Sequence, residues 1–371
     1  MKLIPAMEIF MILLAIVLGF SIVVISVPPI LRVARQKQLF DSVDERKIHT
    51  SSVPPLGGVA IFLGFVLSTI VSTDGYSFDS LKYIIASIIL MFFIGLKDDM
   101  LVISARNKFV VQLFAAALLI TLGNLQITNL HGVFGIYGIN HISGIILSLF
   151  IVLALVNAFN LIDGIDGLAS GLAMLASFVF GAWFFIAGHI QFAIMSLALT
   201  GSLAGFFIFN VFGQRNKLFM GDTGSLVIGL IVSVLVIKFN EFNLFKTSNY
   251  YIANSPAVSF AIVIVPLVDT LRVFTIRLLK GKSPFAPDRN HIHHRLLELV
   301  PSHFRVSLIL ISANTFLIAL ALLFNHINFN VSLQFFAVFV LAILFSFIPT
   351  WILKGGKVKA VNEKLQAKHS L

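Results

Sequence analysis

The sequence has no cysteine and unusually few charged residues. Charged residues make up 11% of the 371-residue chain and hydrophobic residues 58%, whereas an average soluble domain is roughly 25% charged. The lack of cysteine excludes disulfide bridges, thiolate metal sites and thiol nucleophiles. The mean hydropathy is +1.00, so most of the chain is predicted to face lipid or other apolar helices.

Long apolar runs occupy most of the chain. Eleven could span a bilayer, which takes roughly 20 helical residues, and none alternates like a barrel strand. Their approximate limits are 7–31, 55–73, 81–96, 109–127, 142–161, 167–187, 190–212, 224–239, 256–279, 306–325 and 331–353. We therefore predict one all-α domain over residues 1–371, a polytopic integral membrane helical bundle of about eleven transmembrane helices. The first run is too long for the core of a secretion signal and is interpreted as the first membrane helix.

The basic residues predict how the chain is oriented. All but four of the 26 Lys and Arg fall in the odd-numbered connections and the C-terminal tail. By the positive-inside rule, these connections and the C-terminus are cytoplasmic and the N-terminus is outside. The same distribution accounts for most of the formal charge of +10, so no nucleic-acid partner is expected.

Two polar clusters follow the third and fifth runs on the predicted cytoplasmic side. Asp98 and Asp99 end the third run, where carboxylates oppose the helix dipole, so a plain solvated helix end explains them poorly. The stretch Asn157–Gly171 carries two amides and two carboxylates between apolar runs. A polar cap leading into a glycine turn would explain one of its carboxylates. The complete set favours function because polar groups at membrane depth are costly.

A third cluster, Phe219–Ser225, begins the eighth run. Asp222 could cap that helix, and the helix N-terminus could equally bind a pyrophosphate. The sequence does not decide between these two interpretations. Several carboxylates on one membrane face, without cysteine, favour a hard cation, with Mg²⁺ first.

The fourth cluster is Pro284–Arg295, where three histidines stand among two arginines. A zinc site is one interpretation, but no fourth ligand pattern accompanies the histidines. Arginine forks beside histidines favour phosphate binding.

Asp269 and Arg272, in the preceding run, are compatible with a structural i,i+3 pair as well as with function. The loop from Asp41 to Gly58 is compatible with a solvated inside loop as well as with a substrate contact.

Together these stretches resemble the polyprenyl-phosphate N-acetylhexosamine-1-phosphate transferases, glycosyltransferase family 4. The resemblance rests on the segments Gly95–Asp99, Asn157–Gly167, Met220–Ser225 and Pro287–His294, in that order, with Arg46–His49 and Pro55–Gly58 also fitting. It implies Mg²⁺-dependent transfer of a sugar-1-phosphate from a UDP-sugar to a lipid phosphate, with release of UMP. The histidine segment is most similar to the undecaprenyl-phosphate N-acetylglucosamine-1-phosphate transferase branch.

The resemblance also implies roles for individual residues. Asp222 would hold Mg²⁺, or Mn²⁺ as an alternative, with Asn160 as a secondary ligand. The implied catalytic residues are Asp98, Asp99, Asp163, Asp166, His291, His293 and His294. The implied substrate-binding residues are Asn157, Asn160, Arg289, Lys108, Arg46, Lys47 and His49.

The implied partners are a UDP-sugar donor, undecaprenyl phosphate as acceptor, and the lipid bilayer, with a homodimer as one arrangement. The implied location is the bacterial inner membrane, with the site on the cytoplasmic face. Another UDP-N-acetylhexosamine or UDP-N-acetylmuramoyl-pentapeptide stays open as donor, as does the downstream polymer, which includes O-antigen, common antigen and teichoic-acid linkage. From a different class, an ion-coupled secondary transporter is the alternative. Such sites lie near the bilayer midplane, whereas these charges gather at one surface.

Overall fold

The computed structural model describes residues 6–39, 53–74, 78–101, 103–244, 250–283 and 290–369, the segment 356–369 by its backbone alone. Within these ranges, helices dominate. They are α1 (Ala6–Gln36), α2 (Gly57–Ser72), α3 (Leu81–Met100), α4 (Ala105–Thr121), α5 (His141–Ile162), α6 (Leu168–Ile186), α7 (Ile190–Phe207), α8 (Gly221–Phe242), α9 (Ser255–Ile262), α10 (Ile264–Leu279), α11 (Ile292–Leu299), α12 (His303–His326) and α13 (Val331–His369). A π-helical turn, Ile208–Phe212, extends α7.

The prediction of a polytopic helical membrane protein is confirmed in general form. Among the described residues, seven helices are long and apolar enough to cross a membrane, or eight with the bent pair α9 and α10. Each of the eleven predicted runs overlaps a helix or that pair. The remaining three, α2, α3 and α4, are shorter or carry more charge at one end. The number of eleven crossings therefore stays a prediction.

Two strands depart from the all-α prediction. They are β1 (Asn129–Val133) and β2 (Ile136–Gly138), which form an antiparallel hairpin before α5. Glu241, near the end of α8, fastens the chain just before this hairpin. Its carboxylate accepts hydrogen bonds from the backbone N–H and the hydroxyl of Thr128, both at 2.8 Å. The hairpin and the start of α8 thus lie at opposite ends of a 22-residue helix, about 30 Å apart.

Helix α8 lies at the centre of the bundle, and nearly every residue from Thr223 to Phe239 is buried. It packs against α2, α3, α5 and α6. Glycine makes two of these contacts possible: a Cβ on Gly58 of α2 would overlap the backbone of Gly224, and one on Gly95 of α3 would lie 2.5 Å from the Thr223 Cα. Small residues allow membrane helices to approach this closely. The start of α8 is thereby enclosed by the ends of two other helices.

The predicted span 256–279 is not one continuous helix. Helices α9 and α10 meet at Val263 with a bend of 75°. Asn314 of α12 compensates for the broken backbone ladder, because its side chain donates to the carbonyl of Ile262 at 3.1 Å and accepts from the N–H of Val265 at 3.3 Å. A buried side chain of this kind is how a membrane protein tolerates a broken helix. The bend gives α10 its own direction toward the site.

Candidate active site

Three of the predicted clusters meet at the start of α8. The Lys108 ammonium lies 3.0 Å from an Asp98 carboxylate oxygen and 2.9 Å from the Oδ1 of Asp222. The amide of Asn160, on α5, donates to the same oxygen of Asp222 and to the Ser225 hydroxyl, the latter at 2.9 Å. Four helices therefore contribute to one polar cluster, which we call the Lys108 cluster: Asp98, Lys108, Asn160, Asp222 and Ser225.

The adjacent carboxylates of α3 have different surroundings. Asp98 belongs to the Lys108 cluster and also accepts a hydrogen bond from the N–H of Ile103 at 3.0 Å. Asp99 instead accepts from the backbone N–H groups of Asp222 and Thr223, at 2.7 and 2.9 Å, and from the Thr223 hydroxyl. Asp99 therefore caps α8 from another helix.

This cap changes the interpretation of the third cluster. Asp222 does not cap α8 through its own side chain, and the amides of residues 222 and 223 already donate to Asp99 rather than facing a pyrophosphate. Gly221 makes the arrangement possible: its φ is +70°, and a Cβ there would lie 2.7 Å from both Asp99 carboxylate oxygens. Only glycine fits this position without strain.

The predicted segment Pro55–Gly58 is part of the same structure. The N–H groups of Gly57 and Gly58 donate to the carbonyls of Phe219 and Met220, at 2.8 and 2.9 Å. These bonds use the otherwise unpaired amides at the start of α2 and hold the starts of α2 and α8 together. Three further predicted residues of this region, Arg46, Lys47 and His49, lie outside the described residues.

Asp163 ends α5 beside the Lys108 cluster. Although part of the residue is exposed, burial of its carboxyl group and then the negative charges of Asp222, Asp99 and Asp166 raise its pKa to about 8. A carboxyl group in this state has lost solvation without gaining a partner charge. It is therefore ready to accept a cation.

Asp166, three residues further on, is paired with basic side chains. Lys217 Nζ lies 2.7 Å and His303 Nδ1 3.0 Å from the same carboxylate oxygen. Burial alone would raise the pKa of Asp166, but the hydrogen bonds from His303 and Lys217 outweigh it and hold the pKa below its ordinary value. Lys217 and His303 were not predicted as site residues. Each stands among other polar residues of a short connection between apolar runs, so neither is distinctive in sequence.

Two asparagines have structural partners. Asn157 donates to the side chain of Gln112 on α4, at 3.1 Å, and to the carbonyl of Leu153, so it packs between helices while Asn160 joins the cluster.

Asn210, not predicted as a site residue, lies in the π-helical turn. Its Oδ1 accepts from the N–H of Gly167 at 2.6 Å and its Nδ2 donates to the carbonyl of Leu218 at 3.0 Å.

The histidine segment reaches the loop after α5. His293 is buried, and among the described residues neither of its ring nitrogens has a hydrogen-bond partner. Its ring lies against Gly164, where a Cβ would overlap Nε2. Burial, opposed by the charge of Asp269 but reinforced by the neighbouring histidines, lowers the pKa of His293 to about 3. The ring is therefore neutral at physiological pH.

The other histidines lie close to His293. Its ring centre is 5.5 Å from that of His291 and 4.3 Å from that of His294. His291 is paired with Asp269 of α10, whose Oδ2 lies 2.8 Å from His291 Nδ1. Arg289, predicted to bind substrate, lies outside the described residues.

Two groups of side chains have metal-binding chemistry. Asp98, Asn160, Asp163 and Asp222 offer oxygen atoms, the ligands that Mg²⁺ prefers. Lys108, held between two of these carboxylates, shows that the cluster already attracts positive charge. The second group is Asp269, His291 and His293, whose candidate ligand atoms lie within 4.8 Å of one another. Its nitrogen-rich composition favours transition metals over Mg²⁺.

This arrangement is suited to phosphate chemistry. Carboxylates that could hold a cation stand beside histidines and lysines that can neutralise phosphate oxygens, at one end of an apolar bundle. Phosphoryl transfer needs positioning and charge neutralisation more than covalent participation by the protein.

Comparisons with known proteins agree with this chemistry. Residues 81–240 match the family described as Glycosyl transferase family 4. Over 316 residues, the chain is 30% identical to an undecaprenyl-phosphate alpha-N-acetylglucosaminyl 1-phosphate transferase of Escherichia coli O157:H7, covering 84% of each protein. It is also 33% identical to a decaprenyl-phosphate N-acetylglucosaminephosphotransferase of Mycobacterium leprae, covering 72% of each. A protein of the same description from Mycobacterium tuberculosis H37Rv is 34% identical over 72% of this chain and 70% of its own length. The chain belongs to glycosyl transferase family 4.

Proposed function

We propose that the protein transfers N-acetylglucosamine-1-phosphate from UDP-N-acetylglucosamine to a polyprenyl phosphate and releases UMP. The names of its relatives support a phosphotransferase with this sugar and this class of acceptor. The single observation that carries the proposal is the Lys108 cluster at the start of α8. There, oxygen ligands and a lysine converge from four helices at the end of an apolar bundle. We assign undecaprenyl phosphate as the acceptor.

In the proposed reaction, an oxygen of the lipid phosphate forms a bond to the phosphorus that carries the sugar. The bond from that phosphorus to the UMP oxygen breaks, and UMP leaves. Lys108 would neutralise phosphate charge at the cluster. His291 and His294 would face the donor from the loop side. No proton transfer is required, because a lipid phosphate is already anionic at neutral pH. Catalysis therefore depends on holding two anions together.

A divalent cation belongs to this proposal. Asp222 and Asn160 would hold Mg²⁺, or Mn²⁺ in its place, with Asp98 and Asp163 within the same group of oxygen donors. Bound there, the ion would offset the charge of the donor pyrophosphate and of the leaving UMP. The raised pKa of Asp163 supports this role, since an acid held without a partner charge gains most from a nearby cation.

The proposed setting is a bacterial inner membrane, crossed eleven times, with the N-terminus outside and the C-terminus and site cytoplasmic. The concentration of Lys and Arg in alternate connections supports this orientation. The bacterial sources of the relatives support the location. The product would be the first lipid-linked intermediate of a cell-envelope polysaccharide.

The test is UMP release by the purified full-length protein in detergent or nanodiscs, given undecaprenyl phosphate and Mg²⁺. Three donors are compared: UDP-N-acetylglucosamine, UDP-N-acetylgalactosamine and UDP-N-acetylmuramoyl-pentapeptide. We expect UMP from the first donor, and a lipid product carrying the sugar phosphate. Turnover that is unchanged in Asp222→Ala would refute the metal assignment. Ion-coupled uptake into proteoliposomes without UMP formation would instead favour the transporter.

A further inference from the structure

Two residues of α10 hold the histidine segment in place. Asp269, 2% exposed, uses both of its carboxylate oxygens. Oδ2 lies 2.8 Å from His291 Nδ1, and Oδ1 accepts a hydrogen bond from the backbone N–H of Ile292 at 2.8 Å. One helical turn later, Arg272 donates from Nη1 to the carbonyl of Asn290 at 2.6 Å. Three successive residues, 290 to 292, are thus bound from one face of α10.

The contact between Asp269 and His291 determines which ring nitrogen carries the proton. An ionised carboxylate can only accept hydrogen bonds, so Nδ1 of His291 must be the donor. In the neutral ring, Nε2 is then the free acceptor position, and its direction is fixed by the Asp269 contact. The ring cannot rotate or change tautomer without breaking this buried hydrogen bond.

The second oxygen of Asp269 acts on the backbone. His291 precedes the first residue of α11, and no side chain of its own caps that helix. Asp269 instead accepts the Ile292 N–H from outside the helix and places a negative charge at the N-terminus, where the dipole favours it. The Asp269 carboxylate therefore fixes both the first residue of α11 and the orientation of the His291 ring that precedes it.

We propose that Asp269 is a positioning residue for the transfer reaction, which holds His291 in its Nδ1–H form with Nε2 turned to the phosphate-bearing substrate. The inference rests on the proposed function, because it assigns His291 to the same site. Asp269 does not touch substrate; it acts through His291. The bend between α9 and α10 matters here, since it gives Asp269 and Arg272 a helix that approaches the histidine segment.

The variant that tests the proposal is Asp269→Asn. Asparagine has nearly the same shape but only one acceptor oxygen, so it can satisfy either His291 Nδ1–H or the Ile292 N–H, not both. We expect kcat to fall by about 100-fold, in the range typical of a positioned catalytic side chain, while KM for the UDP-sugar changes far less. The matched control is Glu241→Gln. Glu241 also uses two oxygens to fasten a segment, at the opposite end of α8, and this variant should keep its kcat.

A double variant distinguishes positioning from general structural support. If Asp269 acts only through His291, Asp269→Asn combined with His291→Asn should be no slower than His291→Asn alone, because residues that act as a unit are not additive. The thermal unfolding midpoint of each detergent-purified variant is measured in parallel. If Asp269→Asn fails to fold, Asp269→Glu replaces it. Glutamate keeps both acceptor oxygens but moves them by one methylene group, so a fall in kcat is expected from the displaced His291 ring.

The outcomes separate the two proposals. No UMP from the wild type would reject the proposed function and this inference together. Normal turnover in Asp269→Asn, or losses that multiply in the double variant, would reject the positioning role alone. Equal losses in Asp269→Asn and Glu241→Gln would also overturn it, since both would then reflect stability.

Discussion

The carboxylate of Asp99 accepts hydrogen bonds from both the backbone N–H and the hydroxyl of Thr223, 124 residues later in the chain. It is an N-terminal cap supplied by a neighbouring helix. Because α8 is the buried centre of the bundle, its start and the Lys108 cluster share this support. Asp98, one residue earlier, faces the cluster instead.

This difference predicts that replacing Asp99 mainly lowers stability, whereas replacing Asp98 mainly lowers activity. Asp99→Ala should lower the free energy of unfolding by about 1–2 kcal/mol, the usual effect of losing a cap, and reduce activity with it. Asp98→Asn should reduce UMP release without a comparable loss of stability. Thermal midpoints and turnover numbers of both variants are the measurement. Equal stability losses would contradict the separation.

Lys108 lies between two carboxylates, so its removal should change how the cluster binds a cation. In Lys108→Gln, Asp98 and Asp222 lose the ammonium that now offsets their charge. We expect slower turnover but half-maximal activity at a lower Mg²⁺ concentration, because the lysine no longer competes for these oxygens.

Arg106→Gln is the matched control for this experiment. Arg106 is exposed on the same helix, two residues before Lys108, and its loss removes the same unit of charge from the same end of the helix. A Mg²⁺ titration of UMP release compares the two variants. An equal shift in both would show that general surface potential, rather than the Lys108 contact, is responsible.

The contact between Lys217 and Asp166 should contribute to stability. Lys217→Met leaves the mostly buried Asp166 carboxylate with only His303 as a charged partner, and we expect a loss of about 1–3 kcal/mol in the free energy of unfolding. Arg215→Met, at an exposed position two residues earlier, should be nearly neutral. Thermal unfolding of the two variants at a single pH is the measurement.

Asp163 predicts a pH dependence of stability in the absence of divalent metal. The folded chain holds its proton up to pH about 8, whereas the ordinary value is 3.8, so the folded state binds more protons between these limits and stability falls as pH rises. His293 acts in the opposite direction only below its ordinary value of 6.5. Between pH 6.5 and 8, Asp163 should therefore lower stability by up to about 2 kcal/mol.

The measurement is thermal unfolding of the metal-free protein across that interval. Asp163→Asn, which is uncharged at every pH, should lose much of the decline seen in the wild type. A decline of the same size in the variant would show that the Asp163 carboxyl group is not the source.

Helix packing at the centre of the bundle gives a fifth prediction. Gly58→Ala should destabilise the protein by roughly 1–3 kcal/mol, because the added methyl group meets the backbone of Gly224 and the helices must separate. Gly138→Ala is the control, since a Cβ there has nothing within 4 Å. Unfolding midpoints of the two variants should differ clearly, with Gly138→Ala close to the wild type.

The positions of the helices follow largely from sequence, because an apolar run of sufficient length has few other solutions in lipid. The placement of Lys and Arg predicts that the Asp98, Asn160 and Asp222 segments share one membrane face, and the structure brings their side chains into one cluster. The break at Val263 does not, because it depends on Asn314 of α12 to receive the exposed backbone groups. A local hydropathy pattern carries no information about such a partner.

The sequence also does not predict which residues of each cluster belong to the site and which pack against other helices. Asn157 and Asn160 share a spacing that predicts one face, yet only Asn160 joins the Lys108 cluster, because Gln112 accepts the amide of Asn157. Asp269 and Arg272 were compatible with a simple helical pair, and their contacts to residues 290–292 become evident only when α10 and α11 are placed side by side.

Asn210 has a consequence for how this site could be altered. Its single amide joins Gly167, at the end of the loop between α5 and α6, to Leu218, just before α8. The two segments therefore keep a common register, and a change in the length of either one would displace the carboxylates that flank them, Asp163 and Asp166 before Gly167 and Asp222 after Leu218. Exchange of one loop with that of a relative should succeed only when Asn210 and the second loop are exchanged with it. One buried side chain thus links two segments of the site that are far apart in the chain.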